Sequence, residues 1–392
     1  MGAALLAAVL LGGMLLDGTA RFEGRAGSRV AGQPTPDSGV AALALLVQDD
    51  EGALLLRAGI APQLLVANPG GGVVERVFTR AHAAVELRDR AMLRVQLRQD
   101  LAYGSIDLSP LAGLPVAGPG PVPPGAQPPP ATPIVRLEES TTSAAVQIGL
   151  SRRTRLSTDA AWQVSGGADQ ASRNSVPLVH GGRLRAQLSH SLTRVDQLDG
   201  ELSGFDSRYS NGRRVSVANA LIGWGTMLTR GGTLLLGAGP SVGRGVDSNG
   251  RALNSLLYVA RADLVLSPVA LGTRGLSLSV RAAAEPVGDL LSGDLTERGG
   301  ITLGVAIAAA RDLTLNIRTS GSLALTSGVS GASGTVRGDR YGVGELSAVW
   351  AVARQIDASV GARGSWLSRP VGGLPHAQWV AFVALTFYPF RR

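Results

Sequence analysis

The chain has 392 residues, enough for two or three globular domains or for one large closed sheet, so length alone leaves the architecture open. Its 53 glycines, 21 prolines and only 4% aromatic residues argue against the dense core of a big α/β protein and for many short strands joined by turns. All 37 basic residues are arginine and the net charge is +8, yet the arginines are spread over nearly every segment, unlike the single basic patch of a nucleic-acid binder. Cysteine is absent, which excludes disulfides, thiolate metal sites and a cysteine nucleophile.

Taken in chain order, residues 1–20 read as a secretory signal peptide. The apolar run from Ala3 to Leu16 is too short to span a bilayer as a helix and is followed by the small residues Gly18-Thr19-Ala20. No basic residue precedes the run, so a start further upstream stays open. Nowhere else does an apolar stretch reach the roughly 18 residues of a membrane helix. A membrane location therefore requires strands, and these must close into a barrel, because hydrocarbon offers no partner to a free sheet edge.

Residues 21–392 carry the period-two pattern that such strands need. In the segment 75–103, Val77, Thr79, Ala81, Ala83, Val85 and Leu87 alternate with Arg80, His82, Glu86 and Arg88. Leu93, Leu97 and Leu101 also satisfy a four-residue spacing there, so an amphipathic helix competes. The Pro-rich stretch 109–135 cannot donate to a sheet; it reads as an extracellular loop, with an interdomain linker as the alternative. Leu184, Ala186, Leu188 and Leu192 oppose Arg183, Arg185, Gln187, Ser189 and Ser191. Leu276, Leu278, Val280, Ala282 and Ala284 oppose Ser277, Ser279, Arg281 and Glu285, and Leu315, Ile317 and Leu323 oppose Thr314, Asn316, Arg318, Ser320 and Ser322. Ile356, Ala358, Val360, Ala362 and Trp366 oppose Asp357, Ser359, Arg363 and Ser365. A soluble β-sandwich would alternate too, but with larger apolar residues than these alanine- and glycine-diluted stripes.

Connection lengths give a second test. Long connections fall near 31–38, 68–74, 109–135, 166–182, 204–213, 243–251, 287–297, 327–339 and 368–377. Short ones fall between them, near 48–52, 87–90, 152–155, 195–198, 230–232, 268–275, 311–312 and 353–355. The alternation predicts an all-β, closed antiparallel transmembrane barrel of about 18 strands (16–18), with short periplasmic turns, longer extracellular loops and both termini periplasmic.

The closing segment, Trp379-Val-Ala-Phe-Val-Ala-Leu-Thr-Phe-Tyr-Pro-Phe390, crowds apolar and aromatic residues at the end of the chain. With the alternation, it makes the chain resemble bacterial outer-membrane β-barrel proteins of the porin-like kind. The resemblance implies a bacterial outer-membrane location, lipid and lipopolysaccharide around the wall, and engagement of the barrel-assembly machinery through the terminal strand 378–390. A homo-oligomer is allowed and not required.

Chemistry was sought at the four histidines. His190 between Ser189 and Ser191 would be the base of an outer-membrane hydrolase, but it shares the Leu184 face near the periplasmic rim, where an aromatic ring sits comfortably without a catalytic role. His82 points to the lumen, and His180 and His376 fall in expected outer loops with no carboxylate cluster at metal-ligand spacing. The glycine run Gly237 to Gly243 lacks the lysine and helix of a phosphate loop. Neither a metal nor a cofactor is expected. What remains is electrostatic: Arg80, Glu86, Arg94, Arg98, Asp159, Arg183, Arg185, Asp263, Arg281, Glu285, Arg318, Asp357 and Arg363 are expected to line a pore. The leading expectation is a non-enzymatic channel for small solutes with a weak preference for anions; a structural or export-apparatus barrel is the alternative.

Overall fold

A computed structural model of the chain describes residues 15–27, 38–49, 54–67, 74–89, 92–107, 134–246, 251–269, 271, 275–288, 294–325, 340–368 and 377–390. The first six strands are β1 (Leu15–Gly27), β2 (Ser38–Asp49), β3 (Leu54–Ala67), β4 (Val74–Asp89), β5 (Leu93–Asp107) and β6 (Ile134–Gly149). Next come β7 (Thr154–Gly167), the short helix α1 (Gln170–Ser175), β8 (Val179–Ser191), β9 (Asp196–Tyr209), β10 (Arg214–Thr229), β11 (Gly232–Val246) and β12 (Ala252–Leu266). The chain finishes with β13 (Leu276–Gly288), β14 (Leu295–Ala308), β15 (Leu313–Ala324), β16 (Arg340–Ala353), β17 (Ile356–Leu367) and β18 (Ala377–Phe387). Each strand pairs antiparallel with its sequence neighbours, and β1 pairs with β18, so one 18-stranded sheet closes on itself. The segment 75–103 is two strands and not a helix, paired from Phe78↔Gly104 to Asp89↔Leu93.

Residues opposite each other in register point to the same side of a sheet. Following these partners from strand to strand sorts the whole wall into two faces. One carries Glu86 opposite Gln96, Asp159 opposite Arg185, Asp263 opposite Arg281 and Glu345 opposite Arg363. This face is the inside, since Glu201 of β9 reaches Arg261 of β12 at 3.3 Å although two strands separate them in the sheet. The opposite face is apolar and bare: Ile222 is 71% exposed, Leu256 68% and Leu202 65%. Large apolar groups left uncovered in such number over a closed wall fit hydrocarbon, not water.

The charges of the outward face confirm the boundary. They sit at strand ends, as with Asp89, Arg136, Asp196, Arg214 and Arg340, while the middle of the wall is mostly Leu, Val, Ile, Ala and Gly, with Gln99 and Thr142 polar there and hydrogen-bonded to each other. All five tryptophans, Trp162, Trp224, Trp350, Trp366 and Trp379, face outward. Trp350 lies opposite Ala358 of β17, and Trp366 lies eight residues further along that strand. At about 3.3 Å per residue this separates the two rings by about 26 Å along the tilted strand, close to the height of a barrel's apolar band. Indole rings at both edges of that band occupy the interface that suits their mixed polarity.

Several boundaries differ from the sequence reading. Leu15–Ala20, inside the segment read as a signal peptide, belong to β1 and pair with β2 from Leu15↔Gln48 to Ala20↔Leu43. The connection expected at 204–213 shrinks to residues 210–213, because β9 continues to Tyr209 above the apolar band. His180 lies in β8 and not in a loop. The terminal strand ends at Phe387, before Pro389, so the proline falls past the last ladder bond. The connection 166–182 narrows to residues 168–178 around α1, capped by Asp169, whose side chain accepts from the Ser172 backbone N–H at 2.8 Å. That bond holds the Asp169 carboxyl below the usual carboxylate range. The Pro-rich stretch lies outside the described residues, apart from Ile134 and Val135, which begin β6; its flanks meet as neighbours at Asp107↔Ile134.

Placing a charge on the bare face tests the assignment. Leu202→Arg, at the middle of β9, is expected to lower folding stability in lipid vesicles by about 2–4 kcal/mol, measured by urea titration. A change within about 0.5 kcal/mol of zero would place Leu202 away from hydrocarbon.

Candidate functional site: the barrel interior

All thirteen charged residues expected to line the pore lie on the inward face. The fold brings some of them together. Glu86 accepts from both Arg88 and Arg94 at the end of β4 and β5 where their short connection lies. Arg281 pairs with Asp263 across β12 and β13, and Arg185 donates to Glu201 at 2.7 Å. Others do not meet an opposite charge: among the described residues Arg80, Arg183, Arg318 and Asp159 make no ion pair. The Arg80 guanidinium instead lies 5.4 Å from the centre of the Phe78 ring.

The tightest network closes the cylinder. Arg363 of β17 donates to Glu23 of β1 at 2.7 and 3.3 Å and to Glu345 of β16 at 2.7 Å, with its guanidinium 4.1 Å above the Phe382 ring of β18. Glu23 also accepts from Arg21 and Arg25, each at 2.6 Å. Glu23 and Arg363 are only 5% and 7% exposed. Four strands from the two ends of the chain are thus tied at one buried point, and each charge has several partners, as burial of ions requires.

A second packed region fills the corner from β9 to β14. Tyr209, Val215, Val217, Leu257 and Leu295 form a buried apolar cluster, with Val179 and Phe205 against it. β13 and β14 bend in at their Gly288 and Leu295 ends: Asp294 pairs with Arg213, and Leu295 reaches the backbone of Gly243 in β11 so closely that a Cβ there would meet its Cδ2. At Gly239 a Cβ would stand 1.8 Å from the Ala220 carbonyl oxygen. The glycine run of β11 therefore serves close packing of a sharply curved wall and not phosphate binding.

The interior is consequently lopsided. On the β9–β1 side most inward Val, Leu and Ser residues are buried, with Arg281 and Arg318 exposed; on the β3–β8 side Phe78 and Glu86 are buried, but Arg88, Arg94, Arg98, Arg155 and Arg183 stand exposed. The charge is lopsided as well. From β3 to β8 the inward face carries nine arginines (Arg57; Arg76, Arg80, Arg88; Arg94, Arg98; Arg155; Arg183, Arg185) and four acids, Glu86, Asp100, Glu139 and Asp159. From β9 round to β1 it carries seven arginines (Arg261, Arg281, Arg298, Arg318, Arg363, Arg21, Arg25) and eight acids (Asp199, Glu201, Asp263, Glu285, Glu345, Asp357, Asp17, Glu23). Arg261, Arg298 and Glu345 escaped the sequence reading; in β12 large apolar residues occupy both faces, so Arg261 had no stripe to stand against.

His190 faces outward and its Nδ1 lies 2.9 Å from the Thr154 hydroxyl, whereas Ser189 donates to Asp199 on the inside. The wall separates that ring from those acids, so no Ser-His-Asp arrangement forms there. His82 lies inside against the backbone of Gly59, and His376 lies outside the described residues. Among the described residues no group of three His, Cys, Asp or Glu side chains could hold a metal ion.

A closed cylinder with a bare apolar exterior, tryptophans at both rims and a charged, partly filled interior defines a transmembrane β-barrel. This chain belongs to the EpsX exopolysaccharide export family, whose pattern matches residues 26–388, nearly the whole barrel. No curated protein matches it. Its fold is similar to that of the FrpB iron transporter of Neisseria meningitidis. The F5-1 variant shows a TM-score of 0.52 at 12% identity over 94% of this chain and 66% of the transporter, the F3-3 variant 0.51 at 11% over 92% and 64%. The chain thus spans slightly less than two thirds of that relative's length. The outer membrane protein OpdK of Pseudomonas aeruginosa is similar over 95% of this chain and 98% of its own, at 11% identity and a TM-score of 0.46.

Two substitutions probe the interior. Arg363→Ala leaves Glu23 and Glu345 buried or half-buried without their shared partner and is expected to cost about 3 kcal/mol, read as a lower temperature for loss of the compact gel band. Arg213→Ala releases Asp294 and the bent end of β14, and is expected to raise single-channel conductance in planar bilayers; unchanged conductance would mean that this corner does not narrow the path.

Proposed function

We propose that this protein is the outer-membrane conduit of an exopolysaccharide export apparatus. The observation that carries the reading is the family match over 26–388, because it spans the barrel from β1 to β18. The physical form agrees with it. Eighteen strands enclose more space than side chains alone fill, and here the packed residues collect on one side, leaving the β3–β8 side wet. An apolar exterior with aromatic rims supports residence in an outer membrane.

A second reading, passive diffusion of small solutes with a weak preference for anions, draws on the surplus of inward arginines. Two measurements separate the readings. Deleting the gene in the source organism is expected to abolish surface polysaccharide while polymer collects inside the cell envelope; normal surface polymer would remove the export reading. The purified barrel in planar bilayers is expected to conduct, with a reversal potential in a salt gradient displaced toward that of the anion; a displacement toward the cation would remove the anion preference.

A further inference from the structure

We propose that the inward wall of β3 to β8 is a binding track for an acidic glycan, one bearing carboxylate, phosphate or sulfate groups along its length. The inference rests on the export reading above and adds the chemical class of the polymer.

Three observations carry it. The charge surplus belongs to one wall: nine arginines face four acids there, whereas the opposite wall, with seven arginines and eight acids, is close to neutral. A pore that needed arginine only for solubility would have no reason to separate the two. Secondly, the surplus stands where solute can pass. The neutral wall holds most of the buried inward side chains, among them Val215, Val217, Leu257, Phe382, Glu23 and Arg363, and only Arg281 and Arg318 of its seven arginines are exposed, whereas Arg88, Arg94, Arg98, Arg155 and Arg183, five of nine, are exposed on the cationic wall. Thirdly, part of this charge is unspent. Among the described residues Arg76, Arg80, Arg155 and Arg183 make no ion pair, and the planar fork of a guanidinium is matched best by a bidentate oxyanion.

The placement has the shape a polymer needs. Arg76 lies near the extracellular end of β4 and Arg88 near its periplasmic end, twelve residues apart, or about 40 Å along the strand at about 3.3 Å per residue. Arg94 and Arg98 continue the line on β5, Arg155 stands at the periplasmic end of β7, and Arg183 toward the extracellular end of β8. Between them the same face presents the amides of Gln63, Gln96, Gln147 and Gln163 and the hydroxyls of Ser143 and Ser157. Amides and hydroxyls can both donate to and accept from sugar hydroxyls, while arginine supplies the contacts that select acidic groups. A charged ladder with half-exposed members binds each anionic group weakly, so a chain can move from one to the next, as conduction requires.

The test uses the full-length barrel in planar bilayers, with oligogalacturonate as an acidic probe and a malto-oligosaccharide of equal length as a neutral one. The expected result is current blockade by both, with longer residence for the acidic probe. In the triple variant Arg80→Gln, Arg155→Gln, Arg183→Gln, the acidic residence time is expected to fall by about tenfold and the neutral one to stay unchanged, each lost contact being worth a half-exposed ion pair. Retention of the compact gel band shows that the variant barrel folds. A paired control on the opposite wall, Asp263→Asn with Arg281→Gln, should leave both probes unaffected. Equal residence of the two probes in the native barrel, or a triple variant that holds the acidic probe as long as the native protein, overturns the acidic track while the export reading stands. Entry of neither probe into a conducting pore overturns both.

Discussion

A sheet that crosses hydrocarbon cannot keep an edge, and in this protein that constraint falls on the pairing of β1 with β18. Between Ala20↔Phe387 and Gly27↔Val380 the first and last strands supply each other's missing backbone partners. The buried Glu23, Arg363 and Glu345 network, lying directly inside that seam, ties β1, β16 and β17 with side chains where the ladder joins the two ends of the chain. Closure then dictates the rest. It separates an outside that must be apolar from an inside that need not be, and every strand's alternation takes its meaning from that separation.

Within the cylinder the same composition produces two different environments. Where small inward residues such as Gly237, Gly239 and Gly243 allow neighbouring backbones and side chains to approach, the wall curls tightly and fills its own interior. Where the inward residues are Arg, Gln, Ser and Thr, long polar side chains stay hydrated and hold the wall apart. Exposed inward arginines are therefore more numerous on β3–β8, where the surplus of positive charge also lies. The most deeply buried charges, Glu23 and Arg363, are paired because burial without a partner is costly, whereas exposed arginines such as Arg155 and Arg183 stand without an ion pair and are available to a solute.

Much of the fold was legible because membrane barrels repeat one rule. Leu184, Leu188 and Leu192 against Arg183, Arg185 and Gln187 is a local pattern, and the register only restates it in three dimensions. The rule weakened where its premises did. In β12, Leu257 and Val259 face inward and Leu256 and Tyr258 outward, so both faces are large and no stripe announces which is which. At 204–209, polar and glycine residues that resemble a loop continue β9 beyond the apolar band, where strands no longer need greasy side chains. The pairing of Glu23 with Arg363 was invisible for a plainer reason: 340 positions separate them, and nothing local marks either as the other's partner.

The amino-acid sequence by itself determined that the chain is a barrel of about eighteen strands, where long and short connections alternate, and the inward side of many of its charged residues. These are properties of neighbours one to ten residues apart, set by the two-residue period of a strand and the steric preferences of turns. Only the tertiary structure decided how those inward residues are shared between a packed side and a wet one. That division depends on the curvature of the closed sheet and on contacts such as Arg213 with Asp294 and Glu201 with Arg261, made inside the cylinder between segments that are not neighbours in the sheet. Alternation says that a side chain points in, but what it meets there depends on strands beyond its own neighbours.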